Sequence, residues 1–349
     1  MTDPPLVVSY GAGRDSTALI IELQRRNHRP DAIVFANTGS EKPSTYAFIP
    51  IFNRWLEQHG FPRVTVVAYR PVRAPYRSLE GNMIRNATLP GAAFHRHTCT
   101  MKFKVAPQHR WTRGWPPAQS AWASGRKVIK LIGFECDEEY RLRRADARAH
   151  SGKTDPLEAR RYEYRFPLME WGYNLAKCCE IIAEAGLPVP PKSACYFCPN
   201  QKPEEVDDLS PEDRGRVILM ELTAEPYNRK VRGLWRRPRK ADGRPGSITE
   251  YILQQKLPFV PLTHLAPQVQ LNPKCAKAVS GGQHTFRPPH VGPSLRELLV
   301  QAGHAVPEVV LKASPDLGLY DEDYREVPGQ EEAVPETETD THWNLGEAL

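Results

Sequence analysis

The sequence predicts an α/β protein, a parallel sheet with helices on both faces. Three observations carry this expectation. The chain opens on a strand-turn-helix unit, further apolar strands then alternate with helices, and the strand ends carry Gly-containing segments of the kind that line a ligand crevice.

The opening unit covers residues 6–23, LVVSYGAGRDSTALIIEL. Leu6, Val7 and Val8 read as a buried strand, Gly11, Ala12 and Gly13 as a tight turn, and residues 16–23 are apolar at helical spacing. Glycine lets the backbone approach a ligand closely, and the helix start presents unpaired N–H groups and a positive dipole end to an anion. The turn is therefore a candidate phosphate cradle. Next come a strand over 32–36, an amphipathic helix near 45–59, and strands over 64–68 and 128–133. Strands alternating with helices argue a parallel sheet, in which ligands sit at the carboxyl ends of strands. The opening turn and the segment after Ala36 both lie there.

The type of cradle follows by elimination. A P-loop needs GxxxxGK before Ser or Thr, and no Lys follows Gly13. A dinucleotide fingerprint needs a third Gly or Ala and an acid closing the second strand, where this chain has Ser16 and Asn37. What remains resembles the PP-loop of ATP pyrophosphatases, written SGGxDS, with Gly11, Ala12, Gly13, Arg14, Asp15 and Ser16 in its place. Gly11 and Ala12 depart from that pattern, so the first hydroxyl is missing and backbone N–H groups supply the rest. The segment NTGSEKPSTY, residues 37–46, is similar to one in the phosphoadenosine phosphosulfate (PAPS) reductase branch of that superfamily. Thr38, Gly39, Glu41, Pro43 and Thr45 match it, and Asn37 replaces the usual Asp. IGFECDEEYR, residues 132–141, is similar to the family's strand ending in Gly followed by acids and Arg. That likeness implies that Gly133, Asp137, Glu138 and Arg141 line the nucleotide or substrate site, with Arg141 as a two-point phosphate or sulfate clamp. Residues 143–161 read as a mobile loop or lid. The resemblance covers residues 5–205 and implies a Rossmann-like domain.

Cysteine is the second strong signal. Seven cysteines in a chain with no secretion signal argue against a disulfide framework and for metal or redox chemistry. Asn174 can cap a helix on which Leu175, Cys178, Cys179 and Ile182 share one face, with both thiols inward and Gly186 at the end. Cys195 and Cys198 form CxxC in a Pro-bounded turn, suited to chelating one metal or cluster edge. Cys99, in HTCTMKFK, matches a Cys-Thr and Lys element of the relatives. The expected ligands are Cys99, Cys178, Cys195 and Cys198 around a 4Fe-4S cluster, with Cys179 as the alternative helical ligand and structural Zn2+ as the alternative metal. Cys136 and Cys275 have no metal-like spacing.

The net charge of +6 hides an asymmetry. Residues 321–349 hold ten acids and one base, leaving 46 basic against 31 acidic residues before them. A basic body suits polyanionic partners, and the acidic tail cannot bury enough apolar surface to fold. Ser210 starts a capped helix that runs past Glu221. Beyond it, residues 229–244 pack eight Lys or Arg around Trp235, a pattern that suits a nucleic-acid backbone and one stacked base, or else solvated surface. No apolar run is long enough to span a membrane and no cleavable signal is visible, so a cytoplasmic protein is expected. The expected organisation is a nucleotide-binding α/β domain over 1–165, a cysteine-rich subdomain over 166–205, a mainly helical basic extension over 206–318 and a disordered acidic tail over 319–349.

The resemblance implies ATP-dependent adenylation coupled to sulfur transfer, with DNA or tRNA as candidate acceptor and a sulfur-donor protein as candidate partner. ATP phosphates would lie on residues 11–16, Asp15 helping to place Mg2+ and Ser16 donating to a phosphate oxygen. Lys102 and Arg141 would neutralise the charge developing on the phosphates. Two rivals stay open: a PAPS or adenylyl-sulfate reductase, and a non-catalytic nucleotide- or DNA-binding module. Assimilatory reductases of the family use a carboxyl-terminal Cys in ECG followed by His, and Cys275, the only cysteine beyond Cys198, lacks that setting.

Overall fold

The computed structural model describes residues 3–71, 76–94, 98–138, 143, 156–227, 231–265 and 292–307. Arg141, most of the expected lid, Cys275 and the acidic tail lie outside them. In chain order the main elements are β1 (Leu6–Tyr10), α1 (Arg14–Arg25), β2 (Ala32–Asn37), α2 (Pro43–Gln58), β3 (Val64–Ala68), α3 (Leu79–Arg85), α4 (Ala106–Gly114), α5 (Pro116–Ala123), β4 (Val128–Ile132) and β5 (Tyr162–Arg165). They are followed by α6 (Leu175–Glu184), α7 (Pro211–Ala224), α8 (Ile248–Gln254) and α9 (Leu295–Gln301). The five strands form one parallel sheet in the order β3-β2-β1-β4-β5. The chain builds outward from β1 to β3, then returns to the other side of β1 for β4 and β5. Such a reversal opens a crevice at the carboxyl ends of β1 and β4.

Side chains alternate across a strand, and here both sets are apolar. Val8 and Tyr10 of β1 with Ile33 and Phe35 of β2 pack against α1, α2 and α6. Val7, Ala32, Val34 and Ala36 face the other way, onto Ala118 of α5 and the rings of Trp111, Trp115 and Trp122. The sheet is thus covered on both faces, as the near-continuous apolar strands require. A further core joins α3, Phe103, Cys195, Tyr196 and Phe197 to α7, α8 and α9. It draws on residues before 166, on residues 166–205 and on residues beyond 205 together.

The capping signals hold. Asn174 accepts the Lys177 N–H at 3.0 Å and starts α6, and Ser210 accepts the Asp213 N–H at 3.0 Å and starts α7. Three readings need correction or addition. Successive residues of a helix point about 100° apart, and on this helix, covered on one side only, Cys178 and Cys179 do not both face inward. Cys178 is buried with Ile181 and Ile182, whereas Cys179 is half-buried and Leu175 exposed. Strand β5 was not expected. Its sequence, YEYR, buries only Tyr162, as an edge strand can. Trp235 is no platform for a base, because it is 4% exposed, its indole N–H donates to the Gln201 carbonyl at 3.0 Å, and Tyr251 packs edge-on to it. In the same segment Arg232 is buried between Glu225 (3.0 Å) and Glu250 (2.8 Å), while Arg237, Arg239 and Lys240 are exposed. No helix among the described residues is long and apolar enough to cross a membrane.

Candidate nucleotide and thiol site

The opening turn sits where β1 ends and α1 begins. Gly13 is the N-cap of α1 and supplies no side-chain cap to the first turn. Ala12 is fully buried with φ +56°, a left-handed conformation that costs a non-glycine residue roughly 1–2 kcal/mol. The Ser16 hydroxyl folds back into the turn, accepting the Gly11 N–H at 3.1 Å and donating to the Gly13 carbonyl at 3.4 Å. Ser16 therefore shapes the loop in this state. From the other side, the end of β4 closes on the same turn. A Cβ on Gly133 would lie 2.9 Å from the Ser16 nitrogen and 3.0 Å from its Cα, so only glycine allows this approach.

Residues 37–46 form the adjacent wall. Asn37 Oδ1 accepts the Gly39 N–H at 2.8 Å and the Tyr46 hydroxyl at 2.9 Å, and Tyr46 OH in turn accepts the Glu41 N–H at 3.1 Å. Gly39 adopts φ +68°, which fits glycine at this bend. Thr38 donates to Glu41 Oε1 at 3.1 Å. The cysteine segment then docks on this wall by antiparallel pairing. The Lys42 N–H donates to the Ala194 carbonyl at 3.2 Å, the Tyr196 N–H donates to Ser40 O at 3.4 Å, and Glu41 lies opposite Cys195. Two motifs far apart in sequence thus share one site.

Glu41 is 1% exposed and pairs with Lys104 Nζ at 3.1 Å. Desolvation alone would lower the Lys104 pKa, but the buried Glu41 carboxylate beside it raises it and holds the ammonium charged. Burial pushes the Cys195 thiol well up, and Glu41 adds to the rise. Burial likewise raises Cys198, and the nearby Cys99 adds to both. Cys178 belongs instead to the core under α1, where burial, then Asp15, Glu135, Cys179 and Cys136, push its thiol up to about 12. Among the described residues no group of three or more His, Cys, Asp or Glu is gathered as a metal site. Cys99, Cys195 and Cys198 share one neighbourhood and Cys178 lies in another.

Lys102 lies against rings, donating to the Tyr76 hydroxyl at 2.8 Å with Nζ 4.8 Å from the centroids of Tyr69 and Tyr76. Lys104, two residues on in the π-helical turn Met101–Val105, reaches Glu41 and was not singled out in the sequence. Ser193 was missed as well. Its Oγ stands 2.6 Å from where a Cβ on Gly13 would be. Its only sequence signal is its place ahead of the CxxC. Compared with known proteins, the chain matches no family model and no curated sequence.

Proposed function

We propose that this chain binds ATP on residues 11–16 and uses it to adenylate a substrate, in the manner of the PAPS reductase-like PP-loop proteins it resembles. The observation that carries the reading is the meeting of Gly133 with the Asp15–Ser16 backbone at the switch point of a parallel sheet, beside a helix start with no side-chain cap. Phosphate oxygens would accept the N–H groups of the first turn of α1, and Asp15 would hold the magnesium that accompanies them. A substrate oxygen attacks the α-phosphorus, the bond to the β-phosphate oxygen breaks, and pyrophosphate leaves. A sulfur nucleophile from a donor can then displace AMP from the adenylated centre.

Cys99, Cys195 and Cys198 are the residues that would hold iron or zinc beside this site. As placed, among the described residues, they are not gathered as a metal site and Cys178 lies in a different core, so the residues do not fit a four-thiolate cluster and no step is derived through one. The exposed Arg237, Arg239 and Lys240 favour a nucleic acid as acceptor.

The test is pyrophosphate release by anaerobically purified protein given ATP, Mg2+ and DNA or RNA, with iron, sulfide and zinc measured on the same sample. Nucleic-acid-dependent release that is lost in Asp15→Ala is the expected result. Reduction of PAPS by a thioredoxin-type donor, with no pyrophosphate release, would favour the reductase instead.

A further inference from the structure

The Ser193 hydroxyl is half-buried, makes no hydrogen bond among the described residues and is packed against Gly13 of the opening turn. It is held there firmly. The residues that follow it are paired to residues 40–42 through Lys42 N–H to Ala194 O, Tyr196 N–H to Ser40 O, and the bridge of Glu41 with Cys195. That pairing aims Oγ at the turn, 2.6 Å from the Cβ position of Gly13 and 3.6 Å from that of Gly11. Any side chain at 13 would displace it. A hydroxyl fixed against a bare glycine turn, with a donor to spare, suits an anionic oxygen resting on the same turn.

We propose that Ser193 is a phosphate ligand lent to the 11–16 turn by the cysteine segment, its hydroxyl donating to an oxygen of the bound polyphosphate. This rests on the nucleotide reading above. It makes the turn and the CxxC one site, because the strap that carries Cys195 and Cys198 also completes the phosphate contacts. Gly11 shows how the contact can be moved. Its Cβ position is in ordinary contact range of Ser193 Oγ and its backbone is not in the left-handed region, so a serine at 11 places a hydroxyl beside the same spot.

Calorimetric titration with magnesium ATP and with pyrophosphate, on the full chain, tests this in wild type, Ser193→Ala, Gly11→Ser/Ser193→Ala and Asp15→Asn, each checked for an unchanged thermal melt. The expected result is about a tenfold loss of affinity in Ser193→Ala, the size of one hydrogen bond to a charged group, and recovery of most of it in the double variant. Wild-type affinity in Ser193→Ala alongside a loss in Asp15→Asn would overturn the Ser193 contact and leave the nucleotide reading standing. A loss that the double variant does not recover would mark a packing role and also overturn it. No binding in wild type, or equal binding in all four proteins, would remove the nucleotide reading and Ser193 with it.

Discussion

Residues 11–16 and 229–244 both carry pronounced chemical patterns, and the fold disposes of them in opposite ways. At the opening turn the backbone is bare of side chains, since Gly13 brings no side-chain cap and Gly133 no Cβ, even though Ala12, Gly13 and Ser16 are themselves buried. In the basic segment the most informative residues turn inward. Trp235 enters a core, and Arg232 is clamped by Glu225 and Glu250. The anchor of that region is Glu221, 1% exposed, which accepts from the N–H groups of Leu234, Ile248 and Thr249 and from the hydroxyls of Ser247 and Thr249. The lesson is physical. A backbone bare of side chains at a glycine turn is a local property, whereas an arginine or indole goes where its partner is, and that partner is set by the whole fold.

The largest expected effects break the basic segment. Glu221→Ala leaves several buried donors unpaired, at about 1–3 kcal/mol each before relaxation. We expect the denaturant midpoint to fall by the equivalent of roughly 4 kcal/mol. Trp235→Ala should cost about 3–5 kcal/mol as a core truncation. At a temperature where that variant is still folded, its affinity for single-stranded DNA should equal that of wild type. Weakened DNA binding with unchanged stability would restore the indole as a stacking platform.

A second contrast lies between Arg232, which has two carboxylate partners, and Lys130 of β4, which has no ion pair among the described residues. Lys130 is 2% exposed, its Nζ sits 4.8 Å from the Tyr162 ring centroid, and burial pulls its pKa from 10.5 down to about 7, with Glu158 opposing. The folded state therefore releases this proton at lower pH than the unfolded chain does. Between about pH 10.5 and 7 the unfolded state binds more protons. Stability should accordingly fall with falling pH across that window, and below it the full penalty is in place. Lys130→Met should melt higher than wild type at pH 7, by a few kcal/mol, with the two curves converging above pH 10.5. Parallel curves would show that Lys130 is not the titrating group.

The smallest effect concerns the exposed remainder of the basic segment. Changing Arg237, Arg239 and Lys240 together to Gln should leave stability within about 0.5 kcal/mol. It should reduce the slope of log affinity against log salt for nucleic acid by roughly 2–3, about 0.9 per lost phosphate contact on duplex DNA. An unchanged slope would move nucleic-acid contact off this surface.

Much of the sheet was legible because β1, β2, β3 and β4 are covered on both faces and so read as nearly continuous apolar runs, interrupted by Ser9, Thr65 and Lys130. Strand β5 was not, since Tyr162 alone is buried and Glu163, Tyr164 and Arg165 look like loop. Within the site, the turn, Gly39 and Gly133 were readable because glycine marks close approach. The docking of residues 194–196 on 40–42 was not, because backbone hydrogen bonds between distant segments leave no trace in side-chain identity. Ser193 acquires its meaning only from that docking, and Lys104 only from its ion pair with Glu41. Trp235 misled because an indole amid arginines is equally at home in a core.

The most direct test of the account is the affinity of magnesium ATP for wild type and for Gly133→Ala, measured by calorimetry on protein shown to be folded. The Cβ that alanine adds would sit 2.9 Å from the Ser16 nitrogen, pushing β4 away from the start of α1. The account predicts saturable binding in wild type and at least about a tenfold loss in Gly133→Ala, equivalent to about 1.4 kcal/mol. Equal affinity in the two proteins would contradict it and place the nucleotide, if one binds, away from the opening turn.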